Sequence, residues 1–193
     1  VTRRLLALAL VGAGSAVLVA SASSKLSSVS SLQRPLHLPH VSAGARCPVS
    51  SADRRIPFVQ RFGVAVGIGR GPAYPIGLPT GQLALAPAAN FHSRKWAGQK
   101  VLWFVLPSYR GPVLIRGARI DAPGRVRFET GDVPPLSLRI GLHTSTGTPS
   151  QTVPKGTRYV PSFTRVRGPG CYAYQIDGTS FSRVVVFRAV WEK

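Results

Sequence analysis

No apolar run in the chain is long enough to anchor it in a membrane, and no cysteine lies where a lipid could be attached. The one sustained apolar stretch, Leu5 to Ala20, is diluted by Gly12, Gly14 and Ser15 and falls short of the roughly 20 apolar residues that span a bilayer. The only two cysteines, Cys47 and Cys171, lie far downstream of it, which excludes a diacylglycerol anchor at that site. Acidic residues are also scarce: six Asp and Glu stand against 25 Lys and Arg in 193 residues, a formal net charge of +19. Helix signals are nearly absent, since Pro and Gly recur every few residues after the N-terminal stretch.

What the N-terminus does contain is ordered as an export signal is. Arg3 and Arg4 form a basic start, the apolar run follows, and Val19-Ala20-Ser21-Ala22 supplies small residues for a peptidase. Residues 1–22 are expected to be a signal peptide cut near Ala22, which makes the mature chain secreted or cell-envelope associated. Valine at position 1, the absence of Met, and 20 Arg against 5 Lys suit a bacterium of high GC content. Without Arg3 and Arg4, 23 basic and six acidic residues leave a formal +17. Charge of that size favours an anionic cell-envelope polymer or lipid surface as partner, with nonspecific nucleic-acid binding at low salt. The arginines are spread along the chain, however, and many alternate with apolar residues as the wet face of a strand does.

In the oxidising compartment that an exported chain enters, two cysteines pair, so Cys47 and Cys171 are expected to form a disulfide closing more than a hundred residues. Residues 23–44, with SSKLSSVSSLQ and then RPLHLPHVSAG, lack a sustained apolar period and read as a Ser/Pro-rich flexible tether. The folded unit is then 45–193, about the usual size of one domain.

Within that unit the apolar stretches are short and rich in Val, Ile, Phe and Tyr, which predicts an all-β fold, an antiparallel two-sheet sandwich. Candidate strands are Phe58–Gly67, Gly81–Ala86, Lys100–Leu106, Pro112–Asp121, Val126–Glu129, Leu136–Gly141, Thr157–Arg167, Cys171–Ile176 and Ser180–Val190. Asp177-Gly178 is the strongest turn signal, joining the last two as a hairpin. The final strand is apolar on both faces, with Val185, Phe187 and Ala189 on one and Val184, Val186 and Val190 on the other. That predicts a central position, because such a strand at an edge would invite pairing with another chain.

The segment Pro169-Gly-Cys-Tyr-Ala-Tyr-Gln-Ile-Asp-Gly178 with the following Thr179 to Ala189 resembles the closing hairpin of a group of secreted or lipid-anchored proteins of high-GC bacteria. Gly71-Pro-Ala-Tyr-Pro-Ile-Gly77 and Tyr109 to Asp121 resemble other segments of that group. The resemblance implies an immunoglobulin-like sandwich. It brings no activity or functional residue with it.

No residue constellation identifies a reaction, a metal or a cofactor, and no small-molecule substrate suggests itself. His37 and His40 are three apart but sit among prolines, and the folded unit adds only His92 and His143, too few for a structural zinc. Gly178-Thr-Ser180-Phe-Ser182 departs from a nucleophile elbow at its second glycine and leads into Val184-Val-Val-Phe where a helix is required. The glycines of Gly63 to Gly71 lead into Pro72 and Pro75, which forbid the helix N-terminus of a phosphate loop, so they read as sites of bulging or close packing. Two kinds of contact residue remain. Arg116, Arg119, Arg165, Arg167, Arg183 and Arg188 are candidates for a polyanion-binding face, and Trp96, flanked by Arg94 and Lys95, is the candidate aromatic contact. The leading expectation is therefore a non-enzymatic exported β-sandwich that binds an anionic partner. The alternatives are a scaffold domain without a small ligand and a secreted hydrolase whose triad is assembled across loops.

Overall fold

Short apolar runs between Gly and Pro breaks become nine strands in the computed structural model, which describes residues 32–53, 67–142, 144 and 155–192. These are β1 (Ala73–Ile76), β2 (Gln82–Leu85), β3 (Ala97–Val105), β4 (Val113–Arg119), β5 (Arg127–Phe128), β6 (Ser137–Ile140), β7 (Arg158–Val166), β8 (Gly170–Gly178) and β9 (Ser182–Trp191). Two 3₁₀ turns, Pro79–Gly81 and Ala88–Phe91, flank β2, and no α-helix occurs among the described residues. The expected signal peptide, the candidate strand at 58–66, residues 23–31 of the tether and His143 lie outside the described residues.

The strands form two sheets, ordered β1-β3-β7-β5 and β2-β9-β8-β4-β6. Their inner faces share one core. Trp103 of β3 meets Tyr174 of β8 edge to face with ring centroids 5.1 Å apart, and Tyr174 stacks on Phe187 of β9 at 4.4 Å. The Tyr174 hydroxyl is satisfied by Thr164 Oγ1 at 2.6 Å, and burial pushes it well above the usual tyrosine range, with the Thr164 hydrogen bond pulling the other way. The period-two reading of the last hairpin holds: Tyr172, Tyr174 and Ile176 face the core with Val185, Phe187 and Ala189, while Cys171, Ala173 and Val186 form a second cluster outside. β9 lies between β2 and β8, as its two apolar faces require.

Three features differ from the sequence reading. The second sheet is not wholly antiparallel, because β2 runs parallel to β9 from Gln82↔Arg188 to Leu85↔Trp191. Parallel neighbours need a long connection, and the whole domain separates these two. β1 was not foreseen, since Pro75 interrupts its apolar run. It is an edge strand paired only with β3, where a missing N–H is tolerated. The third concerns the β8–β9 turn. Asp177 pairs with Ser182 and the Gly178 N–H donates to Phe181 O at 2.9 Å, so Thr179 and Ser180 form the turn. Asp177 is wholly buried instead, and Gly178 is required because a Cβ there would lie 2.3 Å from the Phe181 ring.

The stretch expected to be a tether is docked from residue 32 onward. Leu32 is buried, the His37 N–H donates to Gln175 Oε1 at 2.7 Å, and the Val41 N–H donates to Ile120 O at 2.8 Å. Leu38, Val41 and Cys47 cover the outer cluster of β8 and β9. Backbone pairing with exposed strand groups and a few apolar anchors replace the periodic pattern that the sequence lacks. Cys47 and Cys171 are joined as expected, with Cα atoms 5.4 Å apart, within the span of a disulfide.

Candidate anion-binding cleft

The Ala88–Phe91 turn ends at His92 in left-handed conformation (φ 54°), which swings the chain back toward β3. Ser93 then fixes the next step, its Oγ accepting from the Lys95 and Trp96 N–H groups, each at 3.2 Å. Trp96 is thereby held at the mouth of β3 with only 6% of its surface exposed. Beneath it lies Arg165, which has no exposed surface at all. Its guanidinium donates to Trp96 O through Nε at 3.0 Å and also through Nη2, and to Glu129 O through Nη1 at 3.0 Å. It also lies 4.2 Å from the centre of the Phe91 ring. Burial lowers its pKa to about 10. Arg165 is a strut, closed to any ligand.

Alternation along residues 125–128 decides what surrounds Trp96. Val126 and Phe128 have no exposed surface, so Arg125 and Arg127 face the other way. The Arg127 guanidinium carbon lies 4.9 Å from the centre of the Trp96 ring, and that of Arg167, at the end of β7, lies 5.1 Å from it. Both are within cation–π range. Arg119, at the end of β4, stands 5.8 Å from the Tyr172 ring. Together Trp96, Arg119, Arg125, Arg127, Arg167 and Tyr172 line a cleft of about 360 Å³, with Pro123 and Gly124 at its rim.

Among the described residues, Asp121 is the carboxylate that engages the cleft's arginines. It accepts from Arg119 Nε at 2.6 Å and from the Cys171 N–H at 3.1 Å. Burial opposes its ionisation, but the Arg119 hydrogen bond, the Cys171 N–H and the charge of Arg119 outweigh it, holding the carboxyl below its usual range. The same hydrogen bond raises the Arg119 pKa, against desolvation. Burial pushes the Tyr172 hydroxyl upward, opposed by Arg119, so it stays neutral near pH 7.

The six arginines singled out from sequence do not converge. Arg119 and Arg167 enter the cleft, whereas Arg165 is buried beneath it. Arg116 donates to Asp177 Oδ2 at 2.7 Å and to Arg34 O on the outer face of the second sheet. Arg183 sits toward the other end of β9, lining a shallow depression with Arg70, Tyr74 and Ser108, and Arg188 is exposed on β9 opposite Cys171. Trp96 does join the cleft, although its ring is covered. Arg125 and Arg127 were missed. The signal was Arg-Val-Arg-Phe, an alternation in which both apolar residues are core and both arginines therefore share one exposed side.

Of the other residues weighed for chemistry, Ser182 and Asp177 meet. Ser182 Oγ donates to Asp177 Oδ1 at 2.7 Å, and Ser180 sits at an exposed hairpin tip followed by a strand. Among the described residues no three His, Cys, Asp or Glu side chains cluster as a metal site needs. Gly69 has φ +88°, and a Cβ there would lie 2.5 Å from Val185 Cγ2, the close packing read from the glycine run. Comparison with protein-family models, with curated proteins and with solved structures finds no match to this chain.

Proposed function

We propose that this is an exported, non-enzymatic domain of immunoglobulin-like sandwich type that binds an anionic cell-envelope or extracellular partner. The observation that carries the reading is the cleft: four arginines and two aromatic rings gathered at or beside the ends of β3, β4, β5, β7 and β8, with Asp121 bonded to one of the arginines. A field of one sign in a concave, partly apolar site concentrates counter-charge there. The N-terminal order of basic, apolar and small residues supports export, and a disulfide suits the same compartment.

The test is binding of the purified secreted chain to long-chain polyphosphate and to polyglutamate as salt is raised from about 20 to 150 mM. Each charge pair formed with a nucleic-acid-like polyanion adds about 0.7–0.9 to the slope of log affinity against log salt. A slope of about 3 is expected from four arginines, falling by about half in the double variant Arg127→Ala/Arg167→Ala. Absence of binding at low salt, or affinity indifferent to salt, would overturn the reading in favour of a scaffold domain.

A further inference from the structure

We infer that the Trp96 cleft is a discrete site for a single phosphate monoester, taken as its dianion, and that Trp96 is the positioning residue that builds it. This rests on the anion-binding reading above and narrows it from a charged surface to one group of stated chemistry.

The donors left over in the cleft support this. Arg119 engages Asp121 through Nε and Nη2, leaving Nη1. Arg127 donates Nη1 to Pro134 O and its Nε is buried, which leaves Nη2 for a ligand. No hydrogen bond among the described residues engages the side chains of Arg125 or Arg167. One carboxylate, with two oxygens and one charge, is already matched by a single arginine fork, as the Arg119–Asp121 pair demonstrates. Four guanidinium charges against one carboxylate leave three positive charges in the cleft. A phosphate monoester presents three acceptor oxygens and a charge of about −1.5 to −2 near pH 7, which fits donors arriving from separate arginines better than any carboxylate does.

Convergence of the donors comes from Trp96. Two guanidiniums drawn to one indole lie within about 10 Å of each other despite their mutual repulsion. Since the ring is almost wholly covered, it offers no open face for stacking on a sugar or base. Its contribution is to hold Arg127 and Arg167 at the rim.

The carrier of the phosphate is either a polar group, such as the end of a phosphorylated sugar polymer, or an alkyl chain. The second is considered because an apolar groove adjoins the cleft, sharing Arg119 and Pro123 with it and lined by Leu36, Leu38 and Ala122. Leu36 there is 44% exposed. Phosphate chemistry is common to both carriers.

The experiment is calorimetric titration of the purified secreted chain with glycerol phosphate and octyl phosphate, each against its carboxylate counterpart, glycerate and octanoate. One phosphate per chain is expected, at least tenfold tighter than the matching carboxylate. Affinity should rise between pH 5 and 7.5 as the ligand passes its second ionisation near pH 6. The ionisable groups lining the cleft or bonded to its arginines are Arg119, Asp121, Arg125, Arg127, Arg167 and Tyr172, with Asp121 held low and Tyr172 held high; His40 lines the adjoining groove, so the pH series uses glycerol phosphate, which has no alkyl chain to reach it. Trp96→Phe keeps binding within threefold, whereas Trp96→Leu loses at least tenfold in a chain that still melts cooperatively with its disulfide intact. Octyl phosphate binding tenfold tighter than glycerol phosphate, with that advantage lost in Leu36→Asp, assigns a lipid source; equal affinities assign a soluble or polymer-borne phosphate. Carboxylates binding as well as phosphates, several ligands per chain, or affinity flat from pH 5 to 7.5 would overturn the inference. Retention of salt-sensitive polyphosphate binding in that case would leave the broader reading standing, and loss of both would remove the two together.

Discussion

Asp177 is the residue on which local expectation and tertiary environment part most clearly. From sequence, Asp before Gly between two apolar runs is a turn. In the fold its carboxylate is fully buried and accepts hydrogen bonds from Arg116 at 2.7 Å, Ser182 at 2.7 Å and Gln175 Nε2 at 3.0 Å, with Arg34 at 3.6 Å. Removing one partner of a buried ion pair costs about 3–5 kcal/mol. Because the Arg116 side chain keeps a fifth of its exposure, Asp177→Ala is expected at the lower end, about 3 kcal/mol, in urea denaturation of the oxidised chain. Arg34→Ala removes a longer pair from a one-third exposed side chain, with its hydrogen bonds to Phe181 O and Thr179 O, and should cost less, about 1–2 kcal/mol. Equal losses in the two variants would show that Asp177 is not the hub. Asp121 gives a pH signature at the same scale. Its folded pKa is depressed, so its contribution is complete above the unfolded carboxylate pKa, near 3.9, and is lost as pH falls through the lower folded value. Stability of the native protein should therefore fall more steeply below pH 4 than that of Asp121→Asn, read as the urea midpoint against pH.

The docked segment and its disulfide belong to the scale of elements. Period-two alternation in β8 and β9 was legible because each has one face in a common core, and the bounds of β4, β7, β8 and β9 lie within two residues of the runs read from sequence. The segment 32–53 has no such period, and its order comes from outside itself. The Ser50 N–H donates to Val186 O and the Val186 N–H to Ser50 Oγ, both at 2.9 Å, where the edge of β9 is left open because β2 covers only Arg188 to Trp191. Such pairing depends on which strand edge is free, a fact no local composition contains. The Cys47–Cys171 bond then closes a sequence separation of 124 residues, for which the chain-entropy model gives roughly 4–5 kcal/mol before native strain. Cys47→Ser with Cys171→Ser should destabilise by about 2–5 kcal/mol. In hydrogen exchange the amides of Val41 and Ser50 should lose protection before those of Tyr174 and Val185, since the first two hold only the strap. Uniform loss across all four would mean that strap and sheets open as one unit.

At the scale of the whole molecule, the candidate site was half legible. Excess arginine and a cation-flanked Trp96 pointed to an anion partner, but membership of the cleft depends on strand ends brought together by two sheets. Arg165 shows why composition misleads: it counts toward net charge yet is sealed under Trp96, while Arg125 and Arg127, unremarkable in sequence, line the cleft. The same surplus charge sets two opposite responses to salt. A formal net charge of +19 repels itself in the compact state, and screening relieves that repulsion. Anion binding, by contrast, weakens as counter-ions compete. Raising salt from about 10 to 150 mM is therefore expected to raise the melting temperature by about 2–4 °C, the equivalent of roughly 1 kcal/mol at this chain length, while polyphosphate affinity falls. Removing two of the cleft's charges in Arg127→Ala/Arg167→Ala should weaken the salt dependence of binding and also shrink the thermal response, because two of the crowded charges are gone. A melting temperature that falls with salt would mean that favourable ion pairs such as Arg119–Asp121 outweigh the net repulsion, and that the arginine excess is dispersed widely enough to carry no field of its own.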